Sequence, residues 1–343
     1  MHRQPEHTEL VAPMRICENP EGFKTAVAEA TGPAVFRDGA AHWNCVRVAL
    51  QGDDSLLEYL GARDKGTPVF AIVGQPDIQG RFGFSPDLRQ LNHKAAQVSF
   101  SSVLKQYPAA QQSQHAIAIQ AAPVRELLRN WDQENPLTYP PSTAAPTLWL
   151  SNQSVVATHA DSFDNIACVA AGRRRFTLFP PEAIAALSLG PLMNAPGGVP
   201  VSTLDYTKPR ESWDGKLEHA LKSAVGATLE PGDIIFIPAL WWHGVEALGP
   251  LNLLINFWWG NEPTDGISPY DAMSHAILAI SRLPVEKRQR WKHYFDHLVF
   301  RLEEAPGDHL PEGFTDLISE PSDQQAREVT LRIAQSLAAW AKR

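Results

Sequence analysis

The chain has 343 residues, a hydrophobic fraction of 44% and a formal net charge of −8 at pH 7. Its length predicts one large or two modest domains, since domains usually have roughly 100–200 residues. The acidic balance provides no general attraction to nucleic acid or anionic membranes, and every apolar run is shorter than the roughly 18 residues of a membrane span. The N-terminus lacks the apolar segment of a signal peptide. Three widely spaced cysteines, Cys17, Cys45 and Cys168, indicate no disulfide framework. We therefore expect a soluble, cytoplasmic protein.

Short elements follow one another along the first three quarters of the chain. Residues 1–30 are predicted to be a lead-in that ends in a short helix, and residues 31–260 to form the main domain. Its first part alternates helical segments with apolar β runs such as TPVFAIVG and HAIAIQAA, and a proline-rich connector, PLTYPPSTAAP, follows. From Thr147 the chain contains mostly short β runs with turns between them. This succession of short β runs and turns favours a barrel or sandwich over a parallel α/β sheet.

The last part of the chain, residues 261–343, has a helical pattern. SPYDAMSHAILAISRL, VEKRQRWKHYFDHLVFRL and SDQQAREVTLRIAQSLAAWAKR each place apolar residues at i, i+3, i+4 and i+7 spacing. We predict a C-terminal helical region that packs on the main domain or forms a dimer.

A candidate metal site is centred on the stretch VVATHADSF. His159 and Asp161 are two positions apart in a run that is predicted to be a strand, so their side chains point to the same face. His243, in IIFIPALWWH, can supply a second imidazole. Two imidazoles and one carboxylate with open coordination positions are the ligands of non-haem Fe(II) oxygenases, whereas a structural zinc site is closed by four ligands. An isolated H-x-D pair is usually a solvated pair on an edge strand. The metal interpretation is supported by the second stretch, IIFIPALWWH, because it supplies His243.

An open metal site leaves positions for a 2-oxo acid and O2, and the far carboxylate of such an acid needs a cation. Three arginines follow the predicted turn at Gly172, and strand alternation directs either Arg174 or the pair Arg173 and Arg175 inward. An inward arginine in an apolar strand needs an anion. The long loop from Gly190 to Trp213 is either a binding loop or a surface excursion.

Three stretches carry a resemblance to a known family. HADSFDNIACVAAGRRRFTLFPPE, LEPGDIIFIPALWWHGVEAL and LLINFWW resemble the cupin-like JmjC oxygenases of the asparaginyl-hydroxylase (factor-inhibiting-HIF) type, and PAVFRDGAAHW agrees less closely. The resemblance covers residues 20 to 260, roughly. It implies a mainly β protein with flanking helices, built on a double-stranded β-helix (jelly-roll or cupin) barrel. It also implies Fe(II) as cofactor and 2-oxoglutarate and O2 as cosubstrates.

The resemblance assigns roles residue by residue. The implied iron ligands are His159, Asp161 and His243. Two amides, Asn165 and Asn256, match polar residues beside the metal, and Arg174 stands where the family has the lysine that binds the distal carboxylate of 2-oxoglutarate.

The chain departs from the family at positions that hold the cosubstrate. Arginine replaces the lysine, Val156 replaces a hydroxyl residue, and Ala118 stands at the position of a tyrosine. These changes leave two alternatives: the 2-oxo acid binds in a different position with a contribution from Thr158 or Gln120, or the site takes another ligand.

These observations predict an Fe(II)- and 2-oxoglutarate-dependent oxygenase, in the first instance a hydroxylase. A protein side chain or a small molecule is favoured as substrate, nucleic acid is not indicated, and a homodimer through the C-terminal helices is expected. One alternative is a cupin-fold protein that binds metal for a binding or regulatory purpose and has no turnover. A metal-dependent isomerase or hydrolase on the same fold also stays open.

Overall fold

The structure is a computed structural model that describes residues 9–193, 195–213, 215–260, 268–303 and 305–342. The chain divides into two units, Met1–Gly260 and Asn261–Arg343. The first unit contains all of the strands of the described residues and the helices α1 to α7, and the second contains α8 to α10. The sequence-based division into a lead-in (1–30), a main domain (31–260) and a C-terminal helical region (261–343) stays a prediction. The described part of residues 1–30 contributes two strands and a helix to the first unit.

The strands are short, as the spacing of turn residues predicts. They are β1 (Ala12–Pro13), β2 (Arg15–Cys17), β3 (Ala34–Phe36), β4 (Pro68–Gly74), β5 (Arg81–Phe82), β6 (Lys94–Ser99), β7 (Ala116–Pro123), β8 (Pro146–Ser151), β9 (Ser154–Ala160), β10 (Asp164–Ala171), β11 (Arg174–Phe179), β12 (Val225–Leu229), β13 (Ile234–Ile237), β14 (Trp242–Ala247) and β15 (Asn252–Trp259).

Most helices lie in the first part of the chain or at its C-terminal end, and one, α7, lies between β11 and β12. They are α1 (Pro20–Glu29), α2 (Asn44–Ala49), α3 (Asp53–Arg63), α4 (Phe100–Gln112), α5 (Val124–Leu127), α6 (Trp131–Glu134), α7 (Gly215–Leu221), α8 (Pro269–Ile280), α9 (Val285–Phe295) and α10 (Asp323–Ala341). Among the described residues, no helix has the length and apolarity to span a bilayer. The three cysteines are buried, free thiols.

Two mixed sheets form the first unit. The smaller has the strand order β1-β12-β11-β14-β9-β5, and the larger has the order β2-β3-β13-β10-β15-β8-β7-β4-β6. Most neighbours are antiparallel, while β1 with β12, β2 with β3 and β5 with β9 are parallel. The expected mainly β, cupin-like architecture is confirmed. Its strands are arranged as two separate sheets, without closure into one continuous barrel in the part of the chain described.

The two sheets face each other across an apolar layer. Phe176, Leu178 and Val245 of the smaller sheet share one buried cluster with Ala167 and Leu254 of the larger sheet. On its other face, the larger sheet packs against α1 to α6 through a second cluster. The long segment between β11 and β12, with α7, covers the outer face of the smaller sheet. Alternation along each strand therefore directs one set of side chains into the space between the sheets.

Candidate metal centre

The two candidate histidines lie directly opposite each other on neighbouring strands. His159 on β9 pairs with His243 on β14, and their ring centroids are 4.2 Å apart. Asp161 follows the end of β9, and its Oδ2 lies 3.7 Å from His243 Nε2. One ligand atom from each of the three residues lies within 4.8 Å of the others. The structure therefore brings the sequence-predicted triad together in one place.

Backbone carbonyls orient both imidazoles. His159 Nδ1 lies 2.9 Å from the carbonyl oxygen of Ala157, and His243 Nδ1 lies 3.0 Å from that of Trp241. Because a carbonyl only accepts, each Nδ1 carries the proton and donates it to this bond. In the neutral ring, Nε2 then holds the lone pair that a metal needs.

The environment of His243 keeps its ring neutral. Burial, followed by the neighbouring His159, lowers the pKa of His243 to about 4, although Asp161 acts in the opposite direction. At neutral pH the ring is therefore an available donor. Ligand atoms that share one ion at about 2 Å lie roughly 3–4 Å apart, which is close to the separations found here. Two neutral imidazoles and a carboxylate in this arrangement fit a divalent transition metal with open positions, such as Fe(II).

Two loops at this end of the sheets are tied together beside Asp161. The carbonyl oxygen of Asp161 accepts a hydrogen bond from Leu240 N (2.7 Å), and Asp164 Oδ1 accepts one from Ala239 N (2.9 Å). Two hydrogen bonds therefore link the loop after β9 to the loop before β14, and they place the backbone of Asp161 beside the segment that leads to His243.

A pair of buried amides lies on the inner face of the larger sheet. Trp149 Nε1 donates to Asn256 Oδ1 (2.7 Å), and Asn256 Nδ2 donates to Asn165 Oδ1 (3.1 Å). The indole is only a donor, so it fixes the orientation of Asn256 and, through it, of Asn165. The amide NH2 of Asn165 is therefore turned away from Asn256. Asn165 and Asn256 are brought together by β10 and β15, as their assignment to one site requires.

Arg174 is the inward arginine of the three. It shares the inner face of β11 with Phe176 and Leu178, and Leu178 pairs with His243. Its only hydrogen bond within the described residues is a 3.5 Å contact from Nη2 to the carbonyl oxygen of Trp149, and its Nε has no partner there. Burial lowers the pKa of Arg174 to about 10, so the side chain is still a cation at neutral pH.

The two neighbouring arginines face outward and are paired. Arg173 Nε lies 2.8 Å from Glu230, and Arg175 Nη1 lies 3.2 Å from Glu246. Arg174 therefore differs from both of them, because the described residues offer it no carboxylate. Four residues of β11, roughly 13 Å of strand, separate Arg174 from the position opposite His243.

Thr158 is not part of this inner space. It lies on the outer face of the smaller sheet, where its hydroxyl donates to Tyr206 OH (3.5 Å). Adjacent positions of a strand face opposite sides, so the inward direction of His159 requires the outward direction of Thr158. The hydroxyl of Thr158 therefore lies on the opposite face of β9 from His159, and its contribution to cosubstrate binding stays a prediction. Gln120, the other candidate, lies on β7 and is half-buried.

The sequence did not identify Trp149 and Tyr206 at the site, whereas one tryptophan of the pair Trp258 and Trp259 was expected to face the opening. Trp149 orients the amides, and Trp258 packs edge-on against it with ring centroids 5.8 Å apart. The Nε1 of Trp258 is buried and has no partner among the described residues. Alternation in LWL and in NFWW could have indicated that these two rings point inward. Tyr206, behind β14, lies in a loop whose sequence has no comparable signal.

Comparison with known proteins agrees with this fold and site. A two-sheet β protein with a histidine–aspartate–histidine cluster between neighbouring strands belongs to the cupin-like class. The family described as "Cupin-like domain" matches residues 20–265, more than half of the chain. The chain belongs to this family. The asparaginyl-hydroxylase subtype stays a prediction.

Curated relatives share part of this chain. Lysine-specific demethylase JMJ31 of Arabidopsis thaliana is 27% identical over 175 residues, which are 49% of this chain and 31% of that protein. HSPB1-associated protein 1 of Homo sapiens is 32% identical over 114 residues, or 33% of this chain and 23% of that protein. tRNA wybutosine-synthesizing protein 5 of Gallus gallus is 27% identical over 180 residues, or 48% and 49%. The chain spans less than half the length of each of these relatives.

Proposed function

We propose that this chain is an Fe(II)- and 2-oxoglutarate-dependent oxygenase, and specifically a hydroxylase. The observation that carries the proposal is the convergence of His159, Asp161 and His243, with one ligand atom from each within 4.8 Å of the others. Membership of the cupin-like family and similarity to a protein named as a demethylase support an oxidative function. The names of the relatives do not specify the reaction of this chain.

The described residues would hold both the metal and the 2-oxo acid. His159 and His243 would bind the metal through Nε2 and Asp161 through its carboxylate, since the Nδ1 atoms are engaged with backbone carbonyls. Arg174 would bind the distal carboxylate of the 2-oxo acid with its planar, forked guanidinium. Its orphaned Nε fits this role, because a buried cation without an anion is costly.

When bound, Fe(II) with 2-oxoglutarate and O2 would supply the oxidant that attacks a C–H bond of the substrate. The chain itself binds and orients these partners and excludes water. Trp149 and Trp258 place two large rings beside the amides Asn165 and Asn256, where they would limit the access of water. The amide NH2 of Asn165, which is turned away from Asn256, would be able to donate a hydrogen bond to an oxygen atom of the 2-oxo acid.

Anaerobic titration of 2-oxoglutarate into the Fe(II)-loaded protein, followed by visible absorption, tests this proposal. We expect a weak charge-transfer band that saturates as the 2-oxo acid chelates the metal. In Arg174→Met the band should require a much higher concentration of 2-oxoglutarate, while iron binding is retained. In Asp161→Ala iron itself should bind more weakly. Bound iron without a band in the wild-type protein would contradict the proposal.

A second function is favoured by the residues around the cosubstrate position. Val156 and Ala118 provide no hydroxyl, and both pack among apolar residues in the structure. A cupin-fold protein that binds metal for regulation, without turnover, would have no need for such groups. If the titration shows iron but no band, and 2-oxoglutarate is not consumed in air, this second function is the one supported.

The relatives' names indicate two substrate classes, a lysine side chain of a protein and a tRNA base. Our prediction from the sequence favoured a protein side chain or a small molecule. We also propose a cytoplasmic location, which rests on the sequence alone. Mass spectrometry of a converted substrate distinguishes hydroxylation from demethylation, because the first adds one oxygen and the second removes a methyl group.

A further inference from the structure

The outer face of the smaller sheet carries two buried hydroxyls directly behind the candidate histidines. Because successive side chains of a strand face opposite sides, the inward direction of His159 and His243 places their neighbours Thr158 and Gly244 on the outer face. Thr177 of β11 pairs with Gly244 and shares that face. The side chains of Thr158 and Thr177 are both buried. Three adjacent strands, β9, β14 and β11, therefore meet at one level of the sheet behind the metal ligands.

Tyr206 reaches this point of the sheet from the long segment between β11 and β12. Its phenol oxygen lies 3.5 Å from Thr158 Oγ1 and is also hydrogen-bonded to Thr177. A Cβ on Gly244 would overlap the same oxygen, so the phenol occupies the space that the glycine leaves open. One hydroxyl therefore contacts three strands at the level of the candidate ligands. Two of its contacts are residues next to the histidines in the chain.

The backbone that leads to Tyr206 is attached to the same sheet. The guanidinium of Arg81 on β5 pairs with the carboxylate of Asp205, with Nη1 3.1 Å from Oδ1. Both side chains are largely shielded from water, so solvent and salt weaken this pair less than a pair on an open surface. Ser202 N donates to the carbonyl oxygen of Thr158 (2.7 Å). Contacts to β5 and β9 therefore fix the chain immediately before the tyrosine.

The pairing of β9 with β14 is irregular at the level of the phenol. The register shifts between His243 and Val245, so β9 has one residue more than β14 at this point. A bulge of this kind bends the strand and redirects the adjoining side chains. The two imidazoles must nevertheless face one ion, and their candidate ligand atoms lie within 4.8 Å of each other. The phenol of Tyr206 is the group that packs against the outer face of the bulge.

We propose that Tyr206 is a positioning residue for the candidate metal centre. Its hydroxyl holds β9, β11 and β14 at the spacing at which the two histidines share one ion. This inference rests on the proposed function through the metal triad. It adds a residue that is not a ligand and that lies on the opposite face of the sheet from the cosubstrate position. Groups that orient metal ligands change the metal affinity by roughly 10–100-fold when they are replaced.

The ring of Tyr206 has a packing role of its own, which the test must keep separate from the role of the hydroxyl. The ring centroid lies 6.2 Å from that of Phe179, and both residues belong to the apolar cluster on the outer side of the sheet. Truncating the whole side chain would therefore destabilise the fold whatever the hydroxyl does. Tyr206→Phe keeps the ring and removes only the hydroxyl, so it tests the proposed role alone.

Titration of the metal-free full chain with Co(II), followed by visible absorption, measures the metal affinity and reports the coordination geometry. We expect Co(II) to bind about tenfold more weakly to Tyr206→Phe, with d–d bands that differ from wild type in position or intensity. The matched control is Tyr59→Phe, which removes a buried hydroxyl that donates to Glu134 (2.8 Å) in the helical layer. This control should melt at a lower temperature than wild type, because it loses a hydrogen bond, and keep the wild-type affinity and spectrum.

Two further variants distinguish hydrogen bonding from filled space. Thr177→Val removes the β11 partner of the hydroxyl and keeps the shape of the side chain, so Co(II) binding should weaken in the same direction. It carries the test if Tyr206→Phe does not fold. Gly244→Ala combined with Tyr206→Phe should lose less stability than the sum of the single changes, because the methyl group enters the space that the hydroxyl leaves. The double variant should not regain affinity for Co(II), since a methyl group forms no hydrogen bond to the threonines.

Wild-type affinity and an unchanged spectrum in Tyr206→Phe and in Thr177→Val would overturn the inference and leave Tyr206 as a packing residue. Equal weakening of Co(II) binding in Tyr59→Phe would do the same, because the effect would then be a general loss of stability. If the wild-type chain bound no Co(II), the metal centre and the proposed function would be overturned as well. If it bound Co(II), but its Fe(II) form gave no visible band with 2-oxoglutarate, only the oxygenase function would be overturned.

Discussion

Arg174 is a buried cation for which the described residues provide no carboxylate. Replacing it with methionine removes an unpaired buried charge and keeps an apolar side chain of similar length. We expect Arg174→Met to raise the free energy of unfolding of the ligand-free protein by about 1–3 kcal/mol. The same change should greatly weaken 2-oxoglutarate binding. Chemical denaturation and the anaerobic titration measure the two effects separately.

Arg175 is the matched control, because it is the next residue on the same strand. Its side chain is paired with Glu246 on the outer face. Arg175→Met removes this half-buried ion pair, so we expect the free energy of unfolding to fall and the affinity for 2-oxoglutarate to stay the same. A fall in stability for both variants would show that Arg174 already has a partner and would weaken its assignment to the cosubstrate.

His243 gives the metal-free protein a dependence on pH. Burial and the nearby His159 lower its pKa to about 4, below the ordinary value of about 6.5 for histidine. Between these two values the unfolded chain binds a proton that the folded chain does not, so acid favours unfolding. We expect the free energy of unfolding to be constant above about pH 6.5 with respect to this group. It should fall by on the order of 2 kcal/mol as the pH approaches 4.

Denaturation of the metal-free protein at several pH values measures this dependence, and His243→Asn is the comparison. The variant should have a flatter profile between pH 6.5 and 4, since the titrating ring is gone. Equal slopes for the two proteins would mean that the pKa of His243 is the same in the folded and the unfolded chain, so that burial does not keep the ring neutral below pH 6.5.

At the scale of elements, the pairing of β9 and β14 sets the geometry of the site. The register shifts between His243 and Val245, so two residues of β9 lie opposite Gly244. A Cβ at Gly244 would overlap the Tyr206 hydroxyl and lie 2.8 Å from Thr158 Oγ1. We expect Gly244→Ala to lower the free energy of unfolding by about 1–3 kcal/mol, since the packed residues must move. It should also weaken iron binding, because His243 is the preceding residue.

Gly249 provides the control for this substitution. A Cβ there would have its nearest neighbours at 3.5 Å, an ordinary contact, and its φ is not positive. Gly249→Ala is therefore expected to be neutral or slightly stabilising, with unchanged iron binding. If Gly244→Ala melted at the wild-type temperature, the close packing of Tyr206 behind His243 would not be required for the site.

Element prediction succeeded where the pattern was local. The pattern of EGFKTAVAEA predicts a helix where α1 lies. Ser99, Ser101 and Ser102 are the cap candidates for α4, and the structure has Ser99, whose side chain accepts a hydrogen bond from Ser102 N (3.3 Å). The pattern of VRELLRNWDQEN predicts one helix, but the structure divides it into α5 and α6. The chain leaves α5 at Leu128, whose extended backbone (φ −120°, ψ 135°) forms an antiparallel bridge with Asp64 at the end of α3. β6 was missed because its exposed residues KAAQVS have neither an apolar stripe nor regular alternation.

The candidate site could be predicted only in part, because only some of its residues are indicated by a local pattern. Strand periodicity places His159 and Asp161 on one side, and two short motifs identify His243, so the triad needs only local information. The choice among the three arginines was left open because alternation alone does not say which face of β11 is inward. The partners of Trp149, Asn165 and Asn256 depend on strand register across more than 90 residues of sequence. Such long-range pairings have no signal in a single sequence.

At the scale of the whole molecule, the second unit has little core of its own. Not one of the described side chains of α8, α9 and α10 is buried. Apolar residues follow one face of each helical segment, at Trp291, Tyr294 and Leu298 and again at Ile333, Leu337 and Trp340. These positions have the i, i+3, i+4 and i+7 spacing that the sequence predicts. Helices that expose such stripes are stable only when another surface covers them.

We propose that a second copy of this chain covers these helices, as the sequence analysis expects. Light scattering should therefore give the mass of a dimer. The double substitution Leu337→Asp with Trp340→Asp should give a monomer, because it places charges in the apolar stripe of α10. Gln335→Asp, at an exposed polar position of the same helix, should remain a dimer. A monomeric mass for the wild-type protein would contradict this proposal. The iron titration then says whether the metal centre of the first unit depends on dimerisation, since the monomeric variant retains all three candidate ligands.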